Sequence, residues 1–331
     1  MTLFELKLPK AYEQDYLNLM KVDLIKRIKN GVTKNKNKVR FSSKVQDILI
    51  PGLSKGKPDY HRIERLLIAE PLELKDLNDT LQEEFNKLSL SERPQNIDIE
   101  NIFNYTGIMN SSDKRKAYKI SRMIGANTCP YCNRQYTFTI VESSENESGK
   151  EGKIARPAFD HWFPKSSYPL MSISLYNLIP SCTVCNSSAK GSTDVNLNDY
   201  IHPYLHKSSH PQIKFTAVPA TSSDRKWSIK IDRPNNSPED RTIKLFELDD
   251  VYRYHDLLEL KDIMDFRDNY PDGYLDDLVN MIRDGQDPAK GGNLTREDVY
   301  RMLFGVEWDD NKHLDRPFSK MKYDILKDII H

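Results

Sequence analysis

The chain has 331 residues, long enough for two or three domains and a sizeable core. Charged residues make up 30% and the hydrophobic class 38%, mean hydropathy is -0.68, and no apolar run approaches the ~18 residues that span a bilayer, which excludes a helical membrane protein. Forty-nine basic and forty-nine acidic residues cancel, so the overall basic excess of many nucleic-acid binders is absent.

Local charge is uneven beneath that balance. Residues 21–44 carry nine Lys/Arg against Asp23 alone, and residues 249–284 carry eleven acids against four bases. A basic face and an acidic one are therefore expected on a neutral molecule. The N-terminus lacks the apolar core of a secretory signal, and a cytoplasmic protein without a membrane partner is expected.

Residues 1–115 read as a helical, polar region. Tyr12, Tyr16, Leu19, Met20, Leu24 and Ile28 recur at helical spacing, as do Leu74, Leu77, Leu81, Phe85 and Leu88. Between them, residues 30–57 are basic and turn-rich. There Lys34, Lys36, Lys38 and Arg40 read either as a solvated loop or as contacts to a phosphate backbone, which need only charge and reach. Residues 52–57 lack the spacing and the Ser/Thr of a phosphate loop.

A central region, 116–210, opens with a helical stretch over 116–123. Residues 135–141 alternate as a strand does, 142–153 form a soft polar loop, and the strand signal resumes at Ile154 to end in Phe159-Asp160-His161. A loop with Pro164 and Pro169 leads to a short strand over 175–179 and then to a helix. The last region, 211–331, is mixed and mainly helical, with strands over 213–218 and 227–231 and helices over 252–266, 275–282, 296–304 and 320–330. The expected fold class is α+β.

All four cysteines fall in two CxxC pairs, Cys129/Cys132 and Cys182/Cys185, with forty-nine residues between the pairs. In a reducing compartment disulfides are disfavoured, and CxxC puts two thiolates on one tight turn, as tetrahedral zinc requires. One structural Zn²⁺ can then tie the start of the central region to its end. Four thiolates leave that ion no open position to activate water, so any chemistry has to come from elsewhere.

Asp160-His161 is the candidate. Asp160 and the side-chain oxygen of Asn186 suit a hard divalent ion, Mg²⁺ or Mn²⁺. Neutral His161 can take a proton from water attacking a phosphodiester. Asn177 can pin the loop so that the imidazole is aimed, and Lys165 and Lys190 are placed in sequence to hold phosphates.

Asp160-His161-x-x-Pro164-Lys165-Ser166, then Tyr176-Asn177-Leu178-Ile179-Pro180-Ser181-Cys182-x-x-Cys185-Asn186 with Lys190 just after, resembles the HNH (ββα-metal) endonuclease signature in its zinc-bearing form. The resemblance covers about 65 residues and implies two strands and a helix gripping a divalent ion. It implies His161 as general base, Asp160 as the metal-binding acid, Asn177 as the middle asparagine and Asn186 as the last motif residue, an H-N-N variant. Lys190 lies one residue further from Asn186 than the commonest spacing. The order of core, His202-Pro203-Tyr204 segment and helical tail also resembles HNH proteins of bacterial anti-phage systems, including the nuclease subunit of Septu, which works beside an ATPase.

The expected function is metal-dependent cleavage of DNA, leaving 5′-phosphate and 3′-hydroxyl ends as the family does. A near-neutral chain is expected to bind naked DNA weakly and to dock on an ATPase or sensor partner. One alternative is a non-catalytic zinc-ribbon-like module that binds nucleic acid or a partner. Another is an HNH enzyme that cleaves RNA.

Other candidates have simpler explanations. His202, His206 and His210 recur every four residues, but Pro203 and Pro211 break a helix there, so a loop packed on the core is expected rather than a second metal site. Trp162 and Tyr168 read as buried loop residues more than as base-stacking platforms. His61, His255 and His313 sit among charged neighbours and read as surface residues, and the acidic run 249–284 as a solvated helical face.

Overall fold

A computed structural model describes residues 5–109, 115–145, 151–205, 213–221, 224–271, 273–285 and 294–329. It is a mixed α and β structure with small, two-stranded antiparallel sheets. The chain divides into two compact units, one of Glu5–Gly125 with Phe138–His206, the other containing Ala126–Thr137 with Lys207–His331. They interleave along the sequence, unlike the division at 115 and 210 expected from chain order. Buried Asn133 gives the local reason: its amide donates to the carbonyls of His313, at 2.9 Å, and Arg316, at 3.1 Å, so the first CxxC turn folds with the end of the chain.

The first unit begins with α1 (Ala11–Asn30), whose Tyr16, Met20, Leu24 and Ile28 form one buried stripe four residues apart. Gly31 ends it with φ 72°, and a Cβ there would stand 2.3 Å from the Val39 carbonyl oxygen. Only glycine permits the close turn into β1 (Val32–Lys34) and β2 (Asn37–Val39), which pair antiparallel. Asn35 and Lys36, both at positive φ (49° and 67°), make the two-residue turn whose twist suits a hairpin. The basic segment read as a loop is thus this hairpin, followed by α2 (Ser43–Leu49), capped where Ser42 Oγ accepts from the Val45 N–H.

Helices α3 (His61–Ile68), α4 (Pro71–Asn86), α5 (Asn96–Ile102), α6 (Tyr105–Met109) and α7 (Lys116–Ile124) complete the helical part. Strands β3 (Ile140–Glu145) and β4 (Glu151–Ala155) pair where a soft loop was expected, because ladder bonds join backbones and do not require apolar side chains. Then β5 (Ala158–His161) pairs with β6 (Leu178–Ser181), Asp160 opposite Ile179 and His161 opposite Leu178. A one-turn 3₁₀ helix, Leu175–Asn177, fills the start of the strand expected there.

In the other unit β7 (Lys214–Pro219) and β8 (Trp227–Asp232) form a six-rung hairpin. Its helices are α8 (Pro238–Leu245), α9 (Leu248–Arg253), α10 (Lys261–Asn269), α11 (Tyr274–Asp284), α12 (Arg296–Phe304) and α13 (Ser319–Ile329), and α13 packs on β7. His313, read as a surface residue, is buried here, and so is Tyr252.

Candidate metal centre and the Asp160–His161 hairpin

Cys129, Cys132, Cys182 and Cys185 are all buried, and their sulfurs lie within 4.8 Å of one another. Around a tetrahedral zinc with Zn–S of about 2.3 Å the sulfurs stand about 3.8 Å apart, so a small contraction accommodates one ion. The backbone supports thiolate character, since the Cys185 N–H donates to Cys182 Sγ at 3.5 Å. At the first pair the Asn133 N–H donates to the Cys129 carbonyl at 2.7 Å, closing the turn, with Asn133 at φ 46°. Tyr252 Oη donates to the Cys132 carbonyl at 2.7 Å and holds the turn from outside. The cluster can hold zinc.

Both strands of the β5–β6 hairpin are buried, unlike the half-exposed β7–β8 pair. His161 ends β5. Its Nε2 lies 2.8 Å from the Ser172 carbonyl oxygen, which can only accept, so Nε2 carries the proton and Nδ1 keeps the lone pair. The ring meets Tyr105 edge-on at 4.5 Å. Burial chiefly, with lesser contributions from Lys165 and Lys190, pulls its pKa down to about 4 against the Ser172 bond. The imidazole is therefore neutral at pH 7.

Asn177 is wholly buried and holds the intervening loop by three bonds. Its Oδ1 accepts from the Phe163 N–H at 2.7 Å, and its Nδ2 donates to the carbonyls of Phe163 and Met171 at 3.1 and 3.0 Å. Ser172 Oγ in turn donates to the Phe103 carbonyl at 2.7 Å, fixing the backbone group that orients His161.

A π-helix, Val184–Lys190, follows the second CxxC. The Gly191 N–H donates to the Asn186 carbonyl five residues back, at 3.0 Å. That turn is wider than an α-helical one. Lys190, at the end of this helix, is turned inward, 2% exposed, and its Nζ donates to Asp160 Oδ1 at 3.2 Å and to the His161 carbonyl at 2.8 Å. It braces the Asp-His dipeptide instead of facing a phosphate, the role expected from sequence. Asn186, four residues earlier in the same helix, is partly exposed. Lys165 is exposed, its ammonium 5.7 Å from the Tyr105 ring centroid.

Tyr105 and Ser172 were not among the sequence candidates. Tyr105 lies fifty-six residues before His161, and Ser172 contributes a backbone carbonyl, which no residue type advertises. His202 is buried against Trp162, with ring centroids 4.5 Å apart, as a core loop residue. His206 and His210 lie outside the described residues. Trp162 is buried and donates to the Ile201 carbonyl at 3.1 Å.

Fold and site define a mixed α and β protein with a buried four-cysteine centre able to hold zinc. No protein-family model matches the chain, and no solved structure does. A stretch of 77 residues is 34% identical to Protein ea31 of Escherichia phage lambda, covering 22% of this chain and 26% of that protein. The chain thus spans about a quarter of that relative's length.

Proposed function

We propose that the protein is a metal-dependent HNH endonuclease that hydrolyses phosphodiester bonds of DNA, its four cysteines holding a structural zinc. The observation that carries this is the fixed tautomer of His161, whose Nε2–H is spent on the Ser172 carbonyl beside the carboxylate of Asp160. In the proposal His161 Nδ1 accepts the proton of the attacking water, which requires a neutral imidazole at working pH. Ser172 orients the ring, and Asn177 orients the loop that carries Ser172. Asp160 and the Asn186 side-chain oxygen would hold Mg²⁺ or Mn²⁺, which offsets charge on the phosphoryl and leaving oxygens. Lys190 is a positioning residue that holds the end of β5, and exposed Lys165 meets substrate phosphate.

Supercoiled plasmid incubated with Mg²⁺, Mn²⁺ or EDTA tests the proposal on wild type and His161→Ala. Nicking should require the divalent ion and fall at least ~100-fold in the variant, while zinc content and circular dichroism stay unchanged. Equal nicking by both proteins, or none by either, would overturn it; none by either, with DNA binding retained, would favour the non-catalytic zinc module.

A further inference from the structure

A cavity of about 230 Å³ opens within the first unit beside the His161 site. Lys34 of the β1–β2 hairpin lines it together with Lys165, Tyr105, Asn101, Asn104 and Ser166. Glu100 contributes a carboxylate to its wall. Tyr105 joins the cavity to the candidate base, since the same ring meets His161 edge-on and lies beneath the Lys165 ammonium. Small-molecule pockets usually reach about 300–1,000 Å³, so this one suits a phosphate with its sugar better than a whole nucleotide.

The charges around it are distributed unevenly. Several cations of the same unit are paired with carboxylates, Lys10 with Glu70, Lys21 with Glu64, Lys44 with Glu92, Arg62 with Glu84 and Lys75 with Asp79, whereas, among the described residues, the scattered Lys26, Lys55, Lys57 and Lys87 are not. Among the described residues Lys34, Lys36, Lys38, Arg40 and Lys165 take part in no such pair, and all five are exposed. Side chains that keep full charge without an internal partner repel one another, and an external polyanion relieves that repulsion.

We infer that this cavity and the β1–β2 hairpin seat the phosphodiester backbone of a nucleic acid, with Lys34 and Lys165 gripping successive phosphates on either side of Tyr105. The seat extends the proposed nuclease site and rests on that proposal for the direction in which the strand runs, toward His161. Backbone contacts carry no base information, so the grip is independent of sequence.

Anisotropy of a labelled DNA duplex and a matched RNA duplex, titrated in EDTA at several salt concentrations, tests the seat. The proteins compared are wild type, the double variant Lys34→Gln/Lys165→Gln, and Lys44→Gln as an ion-paired control. Each lost phosphate contact lowers the slope of log K against log salt by about 0.9. The double variant should therefore lose a slope of about 2 and bind roughly tenfold more weakly on at least one duplex, while Lys44→Gln matches wild type. Unchanged binding on both duplexes, or an equal loss in Lys44→Gln, overturns the seat. The outcome separates from the nuclease proposal: lost binding without any divalent-dependent nicking by wild type keeps the seat and removes the nuclease, and the reverse pattern does the opposite.

Discussion

Two buried lysine–aspartate pairs invite comparison, one in each unit. Lys320 and Asp324 sit one turn apart on α13, both carboxylate oxygens within 2.5 Å of the ammonium, and Asp324 Oδ2 also accepts from the Phe215 N–H at 2.9 Å. Burial pushes the Asp324 pKa up although Lys320 works against it. This pair fastens a helix to the edge of β7. Lys190 and Asp160 come instead from different elements, and the ammonium divides itself between the carboxylate, at 3.2 Å, and the His161 carbonyl, at 2.8 Å. The same two groups thus make a scaffold clamp in one unit and a brace for an Asp-His dipeptide in the other. Burial of an ion pair does not by itself reveal a role; the neighbours that share its hydrogen bonds do.

The largest expected effect lies with the cysteines and bounds what either pair can contribute. Structural zinc contributes about 10–16 kcal/mol in small zinc domains. Purified protein should carry one zinc per chain, and chelation or Cys182→Ser should lower the melting midpoint by ten degrees or more. A metal-free protein that melts unchanged would break the assignment of the cysteines to zinc.

Removing one lysine comes next and tests the comparison directly. Lys190→Met and Lys320→Met each leave a buried carboxylate without its cation, which costs about 3–5 kcal/mol. Urea titration should show similar losses of stability for the two. Plasmid nicking per folded molecule should fall in Lys190→Met and stay at the wild-type level in Lys320→Met. If both variants nick alike, the distinction between brace and clamp fails.

A smaller effect is expected from pH, because each unit also buries an imidazole. His161 and His313 are both held near 4 by burial. His161 hydrogen-bonds Ser172, whereas His313 Nε2 has no hydrogen-bond partner among the described residues. An unfolded histidine titrates at about 6.5, so the unfolded chain binds protons first. Stability present above pH 6.5 is therefore lost as pH falls toward 4, by at most roughly 3 kcal/mol for each ring. Melting midpoints recorded from pH 7 to 4 should decline, and His161→Asn and His313→Asn should each flatten part of the decline. A level profile in the wild type would show that neither ring is buried in its neutral form.

Much of the candidate site was legible because its signals are local. A CxxC spacing places two sulfurs on one turn whatever surrounds it, and all four cysteines converge. Asp160 and His161 do end a strand, a helix does follow the second pair, and Asn177 is hydrogen-bonded to Phe163 in the loop between the strands. Helical periodicity likewise located α1, α4, α12 and α13, where one apolar stripe repeats over several turns. The β1–β2 hairpin was not legible, since Asn35-Lys36 lacks the glycine that usually announces a two-residue turn.

By itself, then, the order of residues determined which groups can bind metal, which stretches coil, and where the titratable dipeptide falls. Those properties depend on neighbours within a few positions. Tertiary structure alone decided that Lys190 turns inward, that a Ser172 carbonyl selects the His161 tautomer, and that Tyr105 links the imidazole to a basic cavity. Each of those contacts joins residues eleven to fifty-six positions apart through backbone groups or ring edges, and sequence spacing carries no record of such distances.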